Sequence, residues 1–149
     1  PKADHHGIGF AVDARTPHTG LQADPAALRS MLVNIVDNSL DACRVDRDKA
    51  EHRVRIGVEG DEDELRVIVD DNGIGMDEEA RGKAFTLFFS SKGSGGTGLG
   101  LFIADKIVAA HGGSIELSSA PGEGTSFLIR LPRRAVEIEP PAEEDAAGA

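Results

Sequence analysis

The sequence predicts one α+β domain. Two pairs of alternating segments joined by short turn-rich loops read as β-hairpins, two strongly helical runs carry recognisable starts and stops, and the length and composition suit a single core. In chain order, "GIGFAVDA" (Gly7 to Ala14) has the pattern of a strand. Asp24-Pro25 then supplies an N-cap followed by a proline in the first turn, and the helix it opens runs to about Cys43. "HRVRIGV" and "ELRVIVDD" alternate apolar and polar residues around the acidic loop "EGDED". Asp77 can cap a short helix over "EEARGKAF", and a second strong helix runs from Leu99 to His111 until Gly112-Gly113 stops it. "SIELSS" and "TSFLIRLP" around "APGEG" form the second hairpin. From Ala135 the chain is rich in proline, alanine and glutamate, with too little apolar surface to offset the entropy of ordering, so residues 135–149 are expected to form a disordered tail behind a domain over residues 1–134.

Composition restricts the functions open to this domain. With 149 residues and 40% hydrophobic side chains there is material for one core and no room for a second domain. A formal net charge of −10 argues against a nucleic-acid surface, since phosphate contacts would work against the field of the whole chain. A nucleotide chelated to magnesium is still compatible with that charge. A single cysteine, Cys43, allows no internal disulfide and fits a reducing, cytoplasmic setting. There is no signal-peptide pattern and no apolar run near the ~20 residues that span a bilayer, so no membrane contact by this segment is expected. The opening on Pro1 suggests a segment of a longer polypeptide, and is compatible with the cytoplasmic portion of a membrane-bound sensor.

Three stretches carry chemistry. On the first long helix, 100° steps place Leu28, Leu32, Ile35, Ser39 and Cys43 on one stripe and Asn34, Asn38 and Asp41 roughly opposite. Asn34 and Asn38 are i,i+4 neighbours whose amides project together; an amide oxygen is a hard, neutral magnesium ligand, and the alternative is a pair of solvated asparagines. In "DDNGIGMD" (Asp70 to Asp77), a carboxylate at a strand end followed by glycines can accept a hydrogen bond from an exocyclic amine such as adenine's while bare backbone admits a flat ring; the alternative is a turn that merely ends a strand. The glycine-rich "SSKGSGGTGLGL" (Ser90 to Leu101) offers backbone N–H groups, the positive end of the helix that follows and the charge of Lys92 to an anion; the alternative is a flexible linker. Gly93, Gly95 and Gly98 match G-x-G-x-x-G without the parallel unit that a dinucleotide site needs, and no P-loop run is present.

Taken together and in order, these stretches resemble the ATP-binding catalytic domain of bacterial sensor histidine kinases, in the superfamily that also contains DNA gyrase, the mismatch-repair ATPases and the chaperone ATPases. "NIVDNSLDA" (Asn34 to Ala42) is similar to the asparagine box, "DNGIGM" to the first glycine box, "AFTLFF" to the phenylalanine box, "GTGLGL" to the second glycine box, and "GEGTSF" to a third glycine-threonine element. Five elements in family order and spacing exclude coincidence and outweigh the separate alternatives, over about Gly7 to Pro132. The resemblance implies a two-layer α/β sandwich, the Bergerat fold, with helices on one face of a mixed, mostly antiparallel sheet. It implies ATP and Mg2+ as cofactors. Asn38 would ligate the magnesium bridging the phosphates, with Asn34 lining the same site. Asp71 would bind the adenine amino group, Gly73 and Gly75 would shape the pocket, and Thr125 would support it. Lys92 and the backbone of Gly96, Thr97, Gly98, Leu99 and Gly100 would close over the phosphates as a lid positioned by Phe85 and Phe88.

Within that superfamily the hydrolytic relatives carry a glutamate general base at the first position of the asparagine box, where this chain has Asn34. A neutral amide cannot take a proton from water, so transfer to a histidine is favoured over hydrolysis, with Asn34, Asn38 and Lys92 as the catalytic set. Many sensor kinases continue the box with lysine and tyrosine; here Asp41 and Ala42 stand there, leaving phosphate charge to magnesium, Lys92 or Arg44, and the "NSLDA" form is closer to the nitrogen-regulatory branch. No acceptor is expected within the chain: His5, His6, His18, His52 and His111 lack the context of the family's phosphorylated histidine, and His111 reads as a helix C-terminal residue favourable to the dipole. The implied partners are a dimerisation and histidine phosphotransfer domain elsewhere in the polypeptide and, downstream, a response regulator receiver domain. Two other functions fit the same motifs: an anti-sigma-type serine protein kinase, and a non-catalytic nucleotide-binding interaction module.

Overall fold

The computed structural model of the chain describes residues 8–14, 23–86 and 99–133. The expected tail over residues 135–149, the glycine-rich stretch at 90–98, Phe88 and His5, His6 and His18 lie outside the described residues. The elements are β1 (Ile8–Ala14), α1 (Pro25–Val45), β2 (His52–Gly60), β3 (Glu64–Asp71), α2 (Glu78–Lys83), α3 (Gly100–Ala110), β4 (Ser114–Ser119) and β5 (Thr125–Pro132). They form one sheet in the order β1-β2-β3-β5-β4. β1 runs parallel to β2, and every other pairing is antiparallel, so the sheet is mixed and mostly antiparallel.

Alternation along the strands separates two faces. One carries Val54, Ile56, Val67, Val69, Phe127, Ile129 and Leu131, all buried in one cluster with Met31, Ile35 and Leu40 of α1 and Leu101, Ala104 and Val108 of α3. The other face is polar: Arg53 and Arg55 are exposed, and Glu64, Arg66, Glu116 and Arg130 form a cross-strand ion-pair network, with Arg66 Nη1 2.7 Å and Arg130 Nη1 2.9 Å from Glu64 Oε2. Helices thus cover only the apolar face, and the result is a two-layer α+β sandwich.

The helix ends follow from side-chain chemistry. Asp24 Oδ1 accepts from the N–H groups of Ala26 at 3.0 Å and Ala27 at 3.4 Å, with Pro25 opening α1, a cap worth ~1 kcal/mol. Asp77 Oδ1 accepts from Ala80 N–H at 2.8 Å to start α2. α3 ends at His111, where Gly112 takes φ +77° and the N–H of Gly113 returns to Val108 O at 2.9 Å. α1 reaches Val45, two residues past the expected end, and it buries Met31, Leu40 and Ala42 besides the expected Ile35, Ser39 and Cys43. The wider arc arises because α1 packs both on the sheet and against α3, which lies beside it in the same helical layer. Leu28 and Leu32 sit at its margin, partly buried against the cluster.

His111 is at the end of α3, where its ring bonds a carbonyl of the last turn as the sequence indicates, and its contacts add a second role. Its Nε2 accepts from the backbone N–H of Asp24 at 3.2 Å, so the ring proton is on Nδ1, which donates to Ile107 O at 2.8 Å. A neutral imidazole thereby ties the C-terminus of α3 to the start of α1.

Candidate active site

The apolar face of the sheet ends in a polar row. Register places Asp71 of β3 opposite Thr125 of β5, and Thr125 opposite Ser119 of β4. Asp71 and Thr125 are buried at 8% and 4% exposure, on a face whose next row, Val69 and Phe127, is fully enclosed. Each polar group is oriented by a hydrogen bond. Asp71 Oδ1 accepts from Gly73 N–H at 2.8 Å. Ser119 Oγ accepts from Met76 N–H at 2.8 Å and donates to Gly124 O at 2.8 Å, which uses its one proton. In the 2.9 Å contact between Ser119 Oγ and Thr125 Oγ1, Thr125 must therefore be the donor, and its oxygen remains an acceptor.

The loop after β3 is fastened at nearly every peptide. Asn72 Oδ1 accepts from Arg53 N–H at 2.7 Å, Ile74 N–H donates to Ala42 O at 3.0 Å, and Ile74 O accepts from Gly122 N–H at 2.7 Å. Glycine is required here by close approach. A Cβ on Gly73 would lie 2.5 Å from the carbonyl carbon of Ala42, and one on Gly124, at φ +81°, would lie 2.0 Å from Asp71 O. Gly75, at φ +74°, faces Ala120 O at 2.0 Å in the same sense. The first glycine box therefore sits directly on the backbone of α1, one turn beyond Asn38.

On α1, Asn34 and Asn38 are both half-buried. Asn34 faces the start of α3, where a Cβ on Gly100 would be 3.6 Å from Asn34 Oδ1. Asn38 Oδ1 is buried and has no hydrogen-bond partner among the described residues. A buried amide oxygen without a donor carries a desolvation cost unless a cation or ligand proton meets it, so this residue fits a magnesium ligand. Arg44 is ion-paired with Asp41, so of the cations considered for the phosphates its charge is already matched. Phe85 packs edge-on against Phe127, centroids 6.3 Å apart, which fixes the end of the segment after α2 to the core.

Asp71, Gly73, Gly75 and Thr125 thus cluster at one end of β3 and β5, while Asn34 and Asn38 lie on α1, the helix that the glycine loop abuts at Ala42, with Gly100 at the start of α3 beside Asn34. Lys92, Phe88, Gly96, Thr97 and Gly98 lie outside the described residues. Sequence reasoning passed over Ser119, whose signal was its place opposite the threonine of the third glycine element. A cavity of about 430 Å³ opens at this end of the sheet, and Asp71, Ser119, Gly124 and Thr125 line it together with Arg53, Arg55, Asp70, Asn72, Ser118 and Ser126. Arg53, Arg55, Asp70, Ser118 and Ser126 belong to the polar face, and neither Asn34 nor Asn38 lines the cavity.

Comparison with known proteins agrees with this geometry. Residues 23–135 match the family described as "Histidine kinase-, DNA gyrase B-, and HSP90-like ATPase", and the chain belongs to that family. It is 39% identical over 131 residues to the sensor histidine kinase ZraS of Klebsiella oxytoca, an alignment covering 87% of this chain and 27% of that protein. The fold matches the catalytic domain of histidine kinase ThkA with a TM-score of 0.75 at 29% identity, over 89% of this chain and 85% of that one. It also matches full-length ShkA, solved in complex with AMPPNP, with a TM-score of 0.76 at 27% identity, over 93% of this chain and 28% of that one. The chain spans between about an eighth and a third of the length of the curated relatives it matches. It is a histidine kinase-type ATP-binding catalytic domain. No helix among the described residues is long and apolar enough to cross a membrane.

Proposed function

We propose that the chain is the phosphoryl-donating half of a sensor histidine kinase: it binds Mg-ATP and supplies the γ-phosphoryl group to a histidine on a dimerisation domain outside this segment, which then serves a response regulator. The observation that carries the reading is the pairing of Asp71, buried and oriented on the floor of the pocket, with Asn38, whose buried oxygen awaits a cation one helical turn from the loop that Asp71 orders. Asp71 and Thr125 would take the adenine amino group. Asn38 would hold magnesium, with Asn34 beside it; the ion would supply charge neutralisation for the phosphates. Lys92, Phe85, Phe88 and the backbone of residues 96–100 would close the triphosphate end. Full-length ShkA, which contains this fold, is solved in complex with AMPPNP, which supports nucleotide binding by this chain.

Asn34 leaves the first position of its box without a base for water. An imidazole nitrogen needs none: it attacks the γ-phosphorus, the bond to the β-phosphate oxygen breaks, and ADP leaves. Positioning and electrostatics then carry the rate. On this reading the domain works in the cytoplasm, where ATP and response regulators are found.

The test is thermal unfolding with a non-hydrolysable ATP analogue, with and without magnesium, on the parent chain and on Asn38→Ala and Asp71→Asn. A ligand at 100 times its dissociation constant adds ~2.7 kcal/mol. The expected result is a magnesium-dependent rise of the midpoint in the parent that both variants lose. An unchanged midpoint at millimolar nucleotide would leave the fold as an interaction module.

A further inference from the structure

The connection from α1 to β2 contains a polar cluster that no motif marks. Asp46, the C-cap of α1, is buried, with its side chain 2% exposed. Its Oδ2 lies 2.7 Å from His52 Nε2, at the start of β2, and accepts from the backbone N–H of Lys49 at 3.1 Å. Its Oδ1 lies 3.6 Å from Lys49 Nζ. The ammonium, held in this way, donates to the carbonyl oxygen of Gly73 at 3.0 Å. Lys49 is a lone charged arm reaching the glycine loop from outside it; the other fastenings found there come from backbone groups, Asp71, Asn72 and Ser119.

We propose that Lys49, anchored by Asp46 and His52, is a positioning residue for adenine recognition. The proposal rests on the reading that Asp71 receives the base. Gly73 has no side chain to hold its peptides in place, and its N–H is the group that orients Asp71 Oδ1. The ammonium fixes the following carbonyl, so the two polar ends of one glycine are gripped from opposite sides, one by Lys49 and one by Asp71. Releasing the carbonyl leaves the 73–74 peptide held on its other side by the Ile74 N–H, which donates to Ala42 O, so the peptide can tilt about that bond and the orientation of the Asp71 carboxylate relaxes with it. Lys49 touches no nucleotide in this arrangement; its effect passes through Gly73 to the carboxylate and is confined to recognition of the 6-amino group.

That confinement supplies the test. Inosine triphosphate carries a carbonyl oxygen where ATP carries the 6-amino group, and a hydrogen on N1 where ATP has a lone pair, while its sugar and triphosphate are the same. Equilibrium affinities for ATP and inosine triphosphate are measured, both with magnesium, on the 149-residue chain and on Lys49→Met and Asp71→Asn. Lys49→Met keeps most of the stem and removes the donor. The expected result is a roughly five- to tenfold loss of ATP affinity with inosine triphosphate affinity changed less than about twofold, so that the preference narrows. If Lys49→Met does not fold, Lys49→Gln carries the same expectation, because its shorter arm falls short of the Gly73 carbonyl. Equal losses for both nucleotides, or no loss for either, overturn the proposal, since a merely structural lysine would not distinguish the bases. If Asp71→Asn abolishes the preference while the Lys49 variant retains it, the adenine site stands and Lys49 has no part in it. If the parent shows no preference for ATP, both readings fall together.

Discussion

The contact between Gly73 and α1 predicts opposite outcomes for the same chemical change at two positions. In Gly73→Ala, the new methyl would stand 2.5 and 2.6 Å from the carbonyl carbon and oxygen of Ala42 and 2.7 Å from Cys43 N. These are backbone atoms within a 21-residue helix and cannot rotate aside. Restoring an ordinary 3.4 Å contact requires the loop and helix to part by about 0.9 Å. Such overpacking costs about 1–3 kcal/mol, against which the stiffer unfolded chain returns only about 0.4–1 kcal/mol. A net loss of about 1.3 kcal/mol lowers the melting midpoint by roughly 4–5 °C in a domain of this size. The same displacement moves the N–H that orients Asp71, so affinity for an ATP analogue should fall by more than the tenfold that ~1.4 kcal/mol represents. Gly82→Ala is the control. Nothing lies within 4 Å of a Cβ at Gly82, and in α2 the change should be neutral or stabilising by up to ~1 kcal/mol. Calorimetry and nucleotide titration on the two variants decide the matter. A Gly73→Ala protein that melts and binds like the parent, or a Gly82→Ala protein that loses as much, would refute the packing argument.

Two further outcomes concern groups below the loop. Burial, together with the nearby Asp71 carboxylate, pushes the Cys43 thiol up to about 11 from 9.0, which leaves roughly a hundredfold less thiolate at pH 8; a disulfide reagent should label the folded protein far more slowly than the urea-unfolded one, and comparable rates would contradict the burial. The His52 hydrogen bond holds the Asp46 carboxyl below its ordinary 3.8, against the opposing pull of burial and with help from Lys49. Its contribution is therefore complete above pH 3.8 and lost as pH falls through the lowered value, so the stability gap between the parent and Asp46→Asn in urea should shrink on acidification. A gap that stays constant down to about pH 2 would show that the carboxylate charge is not what stabilises the pair.

Where the sequence was legible, local signals agreed with tertiary context. The caps at Asp24 and Asp77, the stop at Gly112-Gly113 and both hairpins depend on residues within a few positions of one another, and each is found as read. The burial of α1 was only half legible: a helical wheel assumes one partner, and Met31 and Leu40 are enclosed because α3 provides a second. The parallel pairing of β1 with β2 is a long-range choice that leaves no periodic trace. In the site, Asp71 and Asn38 were readable because strand end and helix spacing constrain where their side chains go. Lys49, Asp46 and His52 were not, since they meet across a helix end, a turn and a strand start, where spacing predicts no common face.

The strand register has a consequence for how the domain assembles. Each hairpin can close alone over a short loop, 61–63 for β2–β3 and 120–124 for β4–β5, so both are entropically inexpensive and early. The β3–β5 seam that joins them spans a much longer stretch of chain, including α2 and α3. Asp71 and Thr125 stand opposite one another across that seam, one contributed by each hairpin. On the proposed reading of these two residues neither half-assembled piece owns an adenine site, so nucleotide would act on the chain only once the two hairpins have met.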